Sequence, residues 1–432
     1  MTRLAKSGST PTDSRERAAL VGLISAASRR FDPEHSLDEL AGLASAAGAA
    51  VVLRVMQERA KPDPATFLGS GKLEQFATSC SETRADVVIF DNELSPVQLR
   101  NVEKVLQRKV LDRTQLILDI FARRARTREG KLQVELAQLE YLMPRLVGAN
   151  EALSRLGGGI GTRGPGETKL ETDRRRVRQR VSVVSKEIEA VRRRRAQSRE
   201  RRHKAAVPTV ALVGYTNAGK TTLFNSLTGD EAVASNALFV TLDPLVRRVR
   251  LRDQRELLVS DTVGFIDRLP HSLIAAFRAT LEEVAGADLL VHVIDASNPD
   301  RERQISAVRT VLSEVGADAV PMLDVFNKCD RLDEGERGRL RAISPGALCV
   351  SAITGDGRED LIAAMEARLA LDTERVTLSF DARSEESRSR VGQLYRLARI
   401  LQHVTTDGRI TIEAEVPRRL LPRFSDATLG AI

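Results

Sequence analysis

The chain of 432 residues has no tryptophan, and aromatic residues make up only 3% of it. Its cores must therefore rest on Leu, Val, Ile and Ala, and the apolar fraction of 42% is enough to build them. Cysteine is nearly absent. Cys80, Cys329 and Cys349 are the only three, and none sits in a Cys-x-x-Cys pair. That argues against a disulfide framework or a zinc knuckle and fits a reducing compartment. No run of apolar residues approaches the ~20 needed to span a bilayer. The longest early one, Ala18–Ser28, is followed closely by Arg29, Arg30 and Asp32, and reads better as a first strand than as a cleaved signal. Fixed-period repeats and low-complexity tracts are also missing. The expectation is a soluble, cytoplasmic protein with no membrane partner, and nothing demands more than a monomer.

Charge is present, and it is unevenly placed. From Asp173 to Lys204 there are 14 Lys or Arg against 4 Asp or Glu, a net of +10, while the whole chain carries +8. Everything outside this stretch therefore sums to −2. Arg192–Arg195 is four arginines in succession, and i,i+4 pairing cannot neutralise such an excess. The usual fate of a charge run is a solvated helix face. Here the imbalance favours a polyanionic partner, because guanidinium forks match phosphate geometry.

The organisation expected is α/β throughout. Residues 1–17 are polar and read as a disordered tail. Residues 18–122 alternate short apolar runs with amphipathic stretches, with strands at Val51–Val55 and Asp86–Phe90 and helices at Leu37–Ala46 and Ser95–Leu106. In 123–206, Leu132, Leu136, Leu139, Leu142 and Leu146 form one heptad-like stripe, and Val177, Val181, Val184, Ile188 and Val191 form another. With the glycine-rich segment Gly157–Gly166 between them, the two read as a helical hairpin. Residues 207–372 show the βαβ rhythm of a doubly wound parallel sheet, with strands at Thr209–Val213, Glu256–Ser260, Leu289–Ile294, Met322–Phe326 and Ala347–Val350. Residues 373–432 read as a small α+β domain: strand Val376–Phe380, helix Glu385–His403, strand Arg409–Glu415, then a basic tail with Pro417 and Pro422.

The third of these regions carries the chemistry. Strand Thr209–Val213 runs into Gly214, Tyr215, Thr216, Asn217, Ala218, Gly219, Lys220 and Thr221, the pattern GxxxxGK[ST], followed by a helix at Thr222–Leu227. The glycines let backbone N–H groups close around a β-phosphate, Lys220 supplies a charge for the β- and γ-phosphates, and the Thr221 hydroxyl can ligate Mg²⁺. Twenty residues on, Phe239, Val240, Thr241, Leu242 and Asp243 form a turn-rich stretch whose Thr241 can ligate Mg²⁺ and sense the γ-phosphate. Asp261, Thr262, Val263 and Gly264 then end a strand as DxxG: Asp261 would hold Mg²⁺ through water, and the Gly264 N–H would reach the γ-phosphate. Asn327, Lys328 and Asp330 form NKxD, in which Asp330 can accept from guanine N1–H and N2–H₂, a pairing that adenine cannot offer. Ser351, Ala352 and Ile353 follow the last strand, with the Ala352 N–H aimed at guanine O6. Five motifs in this order specify a P-loop GTP site; Thr221, Thr241 and Asp261 are its metal candidates and Lys220, Thr241 and Gly264 its catalytic ones. Cys329 reads as a packing residue.

After Gly264 stands Phe265, where many GTPases place a glutamine that orients the attacking water. Phenylalanine cannot do this, so slow intrinsic turnover is expected unless a partner completes the site. With these residues in view, the chain resembles the HflX family, a ribosome-associated branch of the P-loop GTPases. The likeness rests on Phe67–Glu74 (FLGSGKLE), Asn92–Pro96 (NELSP), Arg126–Leu146, Gly164–Arg175 (GPGETKLETDRR), Thr241–Pro244 (TLDP) and Asp261–Phe265 (DTVGF). It implies a GTPase that binds the large ribosomal subunit and its rRNA, splits stalled ribosomes under stress, and is stimulated by the ribosome. It also implies a Gly157–Gly166 loop thrust into rRNA, with Arg163 and Lys169 as contacts. A large-subunit assembly factor, or a GTP/GDP switch with a protein partner, stays open as an alternative.

Overall fold

The computed structural model describes residues 15–24, 33–154, 165–204, 207–230, 238–251, 256–267, 283–343, 346–369, 373–424 and 427–431. Two compact units make up the chain. One comprises the residues up to Arg123 together with Gln138–Gln179, the other Arg124–Ala137 together with everything from Arg180 onward.

In the first unit the elements run β1 (Arg17–Ile24), α1 (Pro33–Ala46), β2 (Ala50–Glu58), α2 (Ser70–Glu82), β3 (Val87–Phe90), α3 (Pro96–Leu106), β4 (Lys109–Asp112) and α4 (Arg113–Arg124). The sheet order is β2-β1-β3-β4, all parallel. β3 is Val-Val-Ile-Phe and buried on both faces, as a central parallel strand must be. α3 starts on a capping box between Ser95 and Gln98, with Pro96 in its first turn. The segment Gly69–Lys72 carries two glycines yet is not a loop. It opens α2, with Gly69 as N-cap donating its N–H to Gln57 Oε1 at 3.1 Å. The helical spacing of Leu73, Phe76 and Cys80, all buried, decides this.

Two long helices follow, α5 (Arg128–Ser154) and α6 (Pro165–Lys204). The basic stretch lies on α6. Leu132 and Leu136 of α5 pack with Val184 and Ile188 of α6. Arg180 clasps Glu135 through two hydrogen bonds, at 2.5 and 2.8 Å, and Arg128 pairs with Glu187 at 2.8 Å. Leu142, counted in the first apolar stripe, is 45% exposed instead. The tail to residue 14, most of the glycine-rich segment with Arg163, and the side chains of Lys169 and Arg195 lie outside the described residues.

The sheet that carries the motifs has six strands in the order β10-β9-β8-β5-β7-β6. They are β5 (Thr209–Val213), β6 (Leu245–Arg250), β7 (Glu256–Asp261), β8 (Leu289–Asp295), β9 (Met322–Asn327) and β10 (Leu348–Cys349). Helices α7 (Lys220–Thr228), α8 (Arg301–Glu314), α9 (Glu334–Ile343) and α10 (Arg358–Arg368) accompany it. The pairs are parallel as expected, except for edge strand β6, which runs antiparallel to β7. β6 escaped the sequence reading because Leu-Val-Arg-Arg-Val-Arg buries only Val249, so it lacks the continuous apolar run of a central strand.

The last segment forms a separate antiparallel sheet, β12-β13-β11-β14, from β11 (Thr373–Asp381), β12 (Arg399–Thr406), β13 (Arg409–Pro417) and β14 (Thr428–Ala431), covered by α11 (Glu385–Leu397) through Leu394. Here the expected helix to His403 is corrected: it stops at Leu397. Val404-Thr405-Thr406 is β-branched and leads into Asp407-Gly408, whose φ angles of 51° and 77° suit the tight hairpin joining β12 to β13. The expected basic tail is a short 3₁₀ turn, Arg418–Arg423, and then β14.

Candidate functional site

The phosphate loop leaves β5 at Gly214 and enters α7 at Lys220. A Cβ at Gly214 would lie 2.3 Å from the Val293 carbonyl oxygen, and one at Gly219, whose φ is 95°, would lie 2.2 Å from Asn327 Nδ2, so space forces glycine at the first and backbone conformation favours it at the second. Lys220 is buried, and its ammonium donates to the Gly214 and Tyr215 carbonyls at 3.1 and 2.9 Å. Burial pushes its pKa down to about 8, with the Asp261 carboxylate pulling the other way.

Three oxygens meet beside it. Thr221 Oγ1 and Thr241 Oγ1 lie 2.8 Å apart, and they donate to Asp261 Oδ2 at 2.8 and 2.9 Å. Asp261 is fully buried at the end of β7, and burial pushes its carboxyl pKa up. Its other oxygen, Oδ1, has no hydrogen-bond partner among the described residues. Hard oxygen donors with edges of this length fit a divalent cation: at Mg–O distances of ~2.0–2.1 Å, adjacent ligands of an octahedron are about 2.9 Å apart.

At the far end, Asn327 braces two motifs. Its Nδ2 donates to the Ala218 carbonyl at 2.9 Å, and its Oδ1 accepts from the Ala352 N–H at 3.0 Å. Ser351 donates to Asp330 Oδ1 at 2.7 Å, which orients the carboxylate. The Lys328 ammonium pairs with Asp295 at 2.7 Å, and Ser297 donates to the same carboxylate from its N–H and hydroxyl. Asp295 was not singled out in the sequence; its place at the end of β8, level with Asn327 on β9, was the available signal. Cys329 is buried, its Sγ donates to the Phe326 carbonyl, and burial pushes the thiol up to about 12, in keeping with packing rather than nucleophilic chemistry.

One cleft gathers these groups. Its walls include Thr216, Asn217, Gly219, Lys220, Thr221 and Thr222, then Phe239, Val240, Thr241, Thr262 and Gly264, and finally Asn327, Lys328, Asp330, Ala352 and Ile353. Arg331 lines it as well, which the sequence reading missed. Gly214, Tyr215, Ala218, Asp261, Val263 and Ser351 stand behind this lining and hold it in place. Leu242 and Asp243 are the corrections. Leu242 is buried in packing. The Asp243 carboxylate turns away to accept from the Arg126 and Thr127 N–H groups, each at 2.8 Å. Neither lines the cleft: Leu242 is taken up by packing and the Asp243 carboxylate by the Arg126 and Thr127 backbone.

Phe265 is 1% exposed and does not line the cleft. Its N–H donates to the Gly214 carbonyl at 3.1 Å, and its carbonyl accepts from the Thr216 N–H at 2.7 Å. The ring is therefore a packing group, and the backbone beside it is laced to the phosphate loop.

Comparison with known proteins matches this arrangement along the chain. Residues 34–122 match a profile described as GTP-binding GTPase N-terminal, residues 124–202 one described as GTP-binding GTPase Middle Region, and residues 209–328 one described as 50S ribosome-binding GTPase. The GTPase HflX of Caldanaerobacter subterraneus subsp. tengcongensis is 45% identical over 95% of this chain and 93% of its own length. The GTPase HflX of Escherichia coli K12 is 44% identical over 94% of each. Among solved structures, a GTP-binding protein of Sulfolobus solfataricus in complex with GDP aligns with a TM-score of 0.43 at 25% identity, over 82% of this chain and 98% of the other. Among the described residues, no helix is long and apolar enough to cross a membrane. At such identity over nearly its whole length, the chain belongs to the HflX family of GTPases and is a GTP hydrolase.

Proposed function

We propose that this GTPase works on the large ribosomal subunit in the cytoplasm, as a monomer, and that it splits or rescues stalled ribosomes with hydrolysis set by contact with the subunit. The net +10 of Asp173–Lys204 on one helix, in a chain otherwise near neutral, carries this reading, because it is the footprint of a phosphate-rich partner. The description of the profile matching residues 209–328 points the same way.

The residues divide the work by chemistry. Asp330, oriented by Ser351, accepts from guanine N1–H and N2–H₂, and the Ala352 N–H, which donates to Asn327 Oδ1, would be shared with O6 when the base is bound. An adenine ring would leave the carboxylate unpaired, which is costly at a site of this kind. The Lys328 stem, held by Asp295, lies along the base. The backbone N–H groups of the phosphate loop and the Lys220 ammonium hold the β- and γ-phosphates. Thr221, Thr241 and Asp261 would hold Mg²⁺, which when bound neutralises charge on the β- and γ-oxygens. The Gly264 N–H closes on the γ-phosphate, and a side chain there would strike Thr216 Cα at 2.9 Å. Phe265, packed inward, contributes no hydrogen bond to water, so turnover is slow until the ribosome orders the site.

GTP turnover by the purified protein, alone and with added large ribosomal subunits, tests this. Stimulation of tenfold or more, about 1.4 kcal/mol of barrier, is the expected outcome. Hydrolysis that ignores the subunits would remove the ribosomal reading and leave the GTPase intact.

A further inference from the structure

With Phe265 turned into the core, some other group must orient the attacking water, and we propose that it is the Thr216 hydroxyl. This rests on the roles given above to Lys220 and Gly264. Thr216 is only 6% exposed, lines the cleft, and has an Oγ1 enclosed without a hydrogen-bond partner. Leaving a buried hydroxyl unpaired is costly, so its presence in a phosphate loop calls for a partner supplied with the substrate. The only other such oxygen at the cleft among the described residues is Asp261 Oδ1, on the metal side.

The position is the right one. A Cβ built on Gly264 would meet Thr216 Cα and Cγ2 at 2.9 Å and Lys220 Nζ at 3.1 Å, so the Thr216 side chain, the ammonium and the Gly264 backbone converge on one point. Lys220 and Gly264 are two of the groups assigned above to the γ-phosphate. The Thr216 N–H bond to the Phe265 carbonyl fixes the residue in that place, and a change of χ1 rotamer would exchange Oγ1 with the Cγ2 methyl that now faces Gly264. There the hydroxyl accepts a hydrogen bond from the water. The water oxygen forms the new bond to the γ-phosphorus, and the bond from that phosphorus to the β–γ bridging oxygen breaks, its electron pair leaving on GDP. The water's proton ends on the departing inorganic phosphate, and Thr216 is unchanged.

Thr216→Val keeps the shape and removes the hydroxyl, and Thr216→Ser restores it. The expected result is a kcat at least tenfold lower in Thr216→Val, GDP affinity within twofold of wild type, weaker binding of GDP with aluminium fluoride, and recovery in Thr216→Ser to within threefold. An unchanged kcat in Thr216→Val overturns the proposal, and so does a Thr216→Ser variant as slow as Thr216→Val, which would make the residue a packing group. Wild-type turnover in the same assay reports on the GTPase site itself and separates the two failures.

A different observation carries a second inference: Asp243 latches the Thr241 segment to the start of α5. Beyond the Arg126 and Thr127 N–H groups, its carboxylate accepts from the Thr127 hydroxyl at 2.5 Å, and that hydroxyl in turn accepts from the Gly130 N–H at 3.0 Å. A Cβ at Gly130 would lie 2.3 Å from Asp243 Oδ1, so a side chain there would displace the carboxylate from this latch. Thr241 is two residues away, so whatever fixes or frees it is transmitted to the end of the helix. Amide hydrogen exchange over residues 124–131 reads the latch. Exchange several-fold slower with a non-hydrolysable GTP analogue than with GDP, and no such difference in Asp243→Ala, is the expected pattern. Equal exchange in the two wild-type nucleotide states, or a difference that persists in Asp243→Ala, refutes it.

Discussion

Lys220 shows how far function bends a single residue. Its pKa falls from 10.5 to about 8 because the side chain is buried. The fold therefore disfavours the charged lysine, at a cost of about 3 kcal/mol. Since the group is a base with a lowered value, that cost is fully present below about pH 8 and fades as pH rises toward 10.5. Nucleotide phosphates offset it by supplying the charge that burial removed. Lys220→Met is thus expected to lose nucleotide binding while the ligand-free protein melts no lower than wild type at pH 7, and any advantage should narrow toward pH 10. Asp261 loses a partner in that variant, which offsets part of the gain. A melting temperature well below wild type at pH 7 would show that the lysine supports the fold. Asp330 gives the complementary test of recognition. Asp330→Asn exchanges an acceptor for a donor that suits the xanthine 2-oxo group, so preference should move from GTP to XTP by tenfold or more in competition binding. An unmoved preference would assign the guanine contact to another residue. Most of the cleft was legible at this scale, because the motifs fix which backbone and side-chain groups face the phosphates. Arg331, Asp295 and the inward Phe265 were less so. Their placement depends on neighbouring strands and on packing, which a linear spacing does not encode.

Among elements, legibility followed periodicity. β3 and β5 are short, bounded and apolar but for Thr209, and each was found within a residue or two. α6 was visible because its apolar positions keep helical spacing through a highly charged stretch. The misses share a cause: β6 and β12 are edge strands whose faces are largely polar or exposed, and α11 was overrun because Ile400-Leu401 continued its apolar rhythm past Ala398. The described part of α6 shows which charges the fold consumes. Arg180 is taken by Glu135, and Arg192 and Arg193 share Glu189 at 3.5 and 3.6 Å. Those last pairs are surface contacts worth little, and a phosphate would compete with them. Replacing Arg192–Arg195 with glutamine should weaken large-subunit binding by at least tenfold and leave GTP affinity within twofold. Sedimentation with subunits and nucleotide titration measure the two, and an unaltered subunit affinity would reduce the stretch to a solvated face.

For the whole molecule, the decisive property is that charge and chemistry are kept apart in sequence. The nucleotide cleft is built from neutral loops, two lysines, one arginine and a few carboxylates, while the +10 lies upstream on α6, against −2 for the rest of the chain. A protein so divided should show two different salt responses. Subunit binding through phosphate contacts releases condensed counterions, so the logarithm of its affinity falls linearly with the logarithm of salt, by roughly 0.7–0.9 per phosphate neutralised. If all four of Arg192–Arg195 touch phosphates, replacing them should flatten that slope by about 3. Guanine discrimination rests on short hydrogen bonds inside a cleft, so the GTP-to-ATP preference should stay level across the same salt series. Subunit affinity that is indifferent to salt would mean an apolar protein surface as the partner, and the switch-with-protein alternative would then replace the ribosomal one.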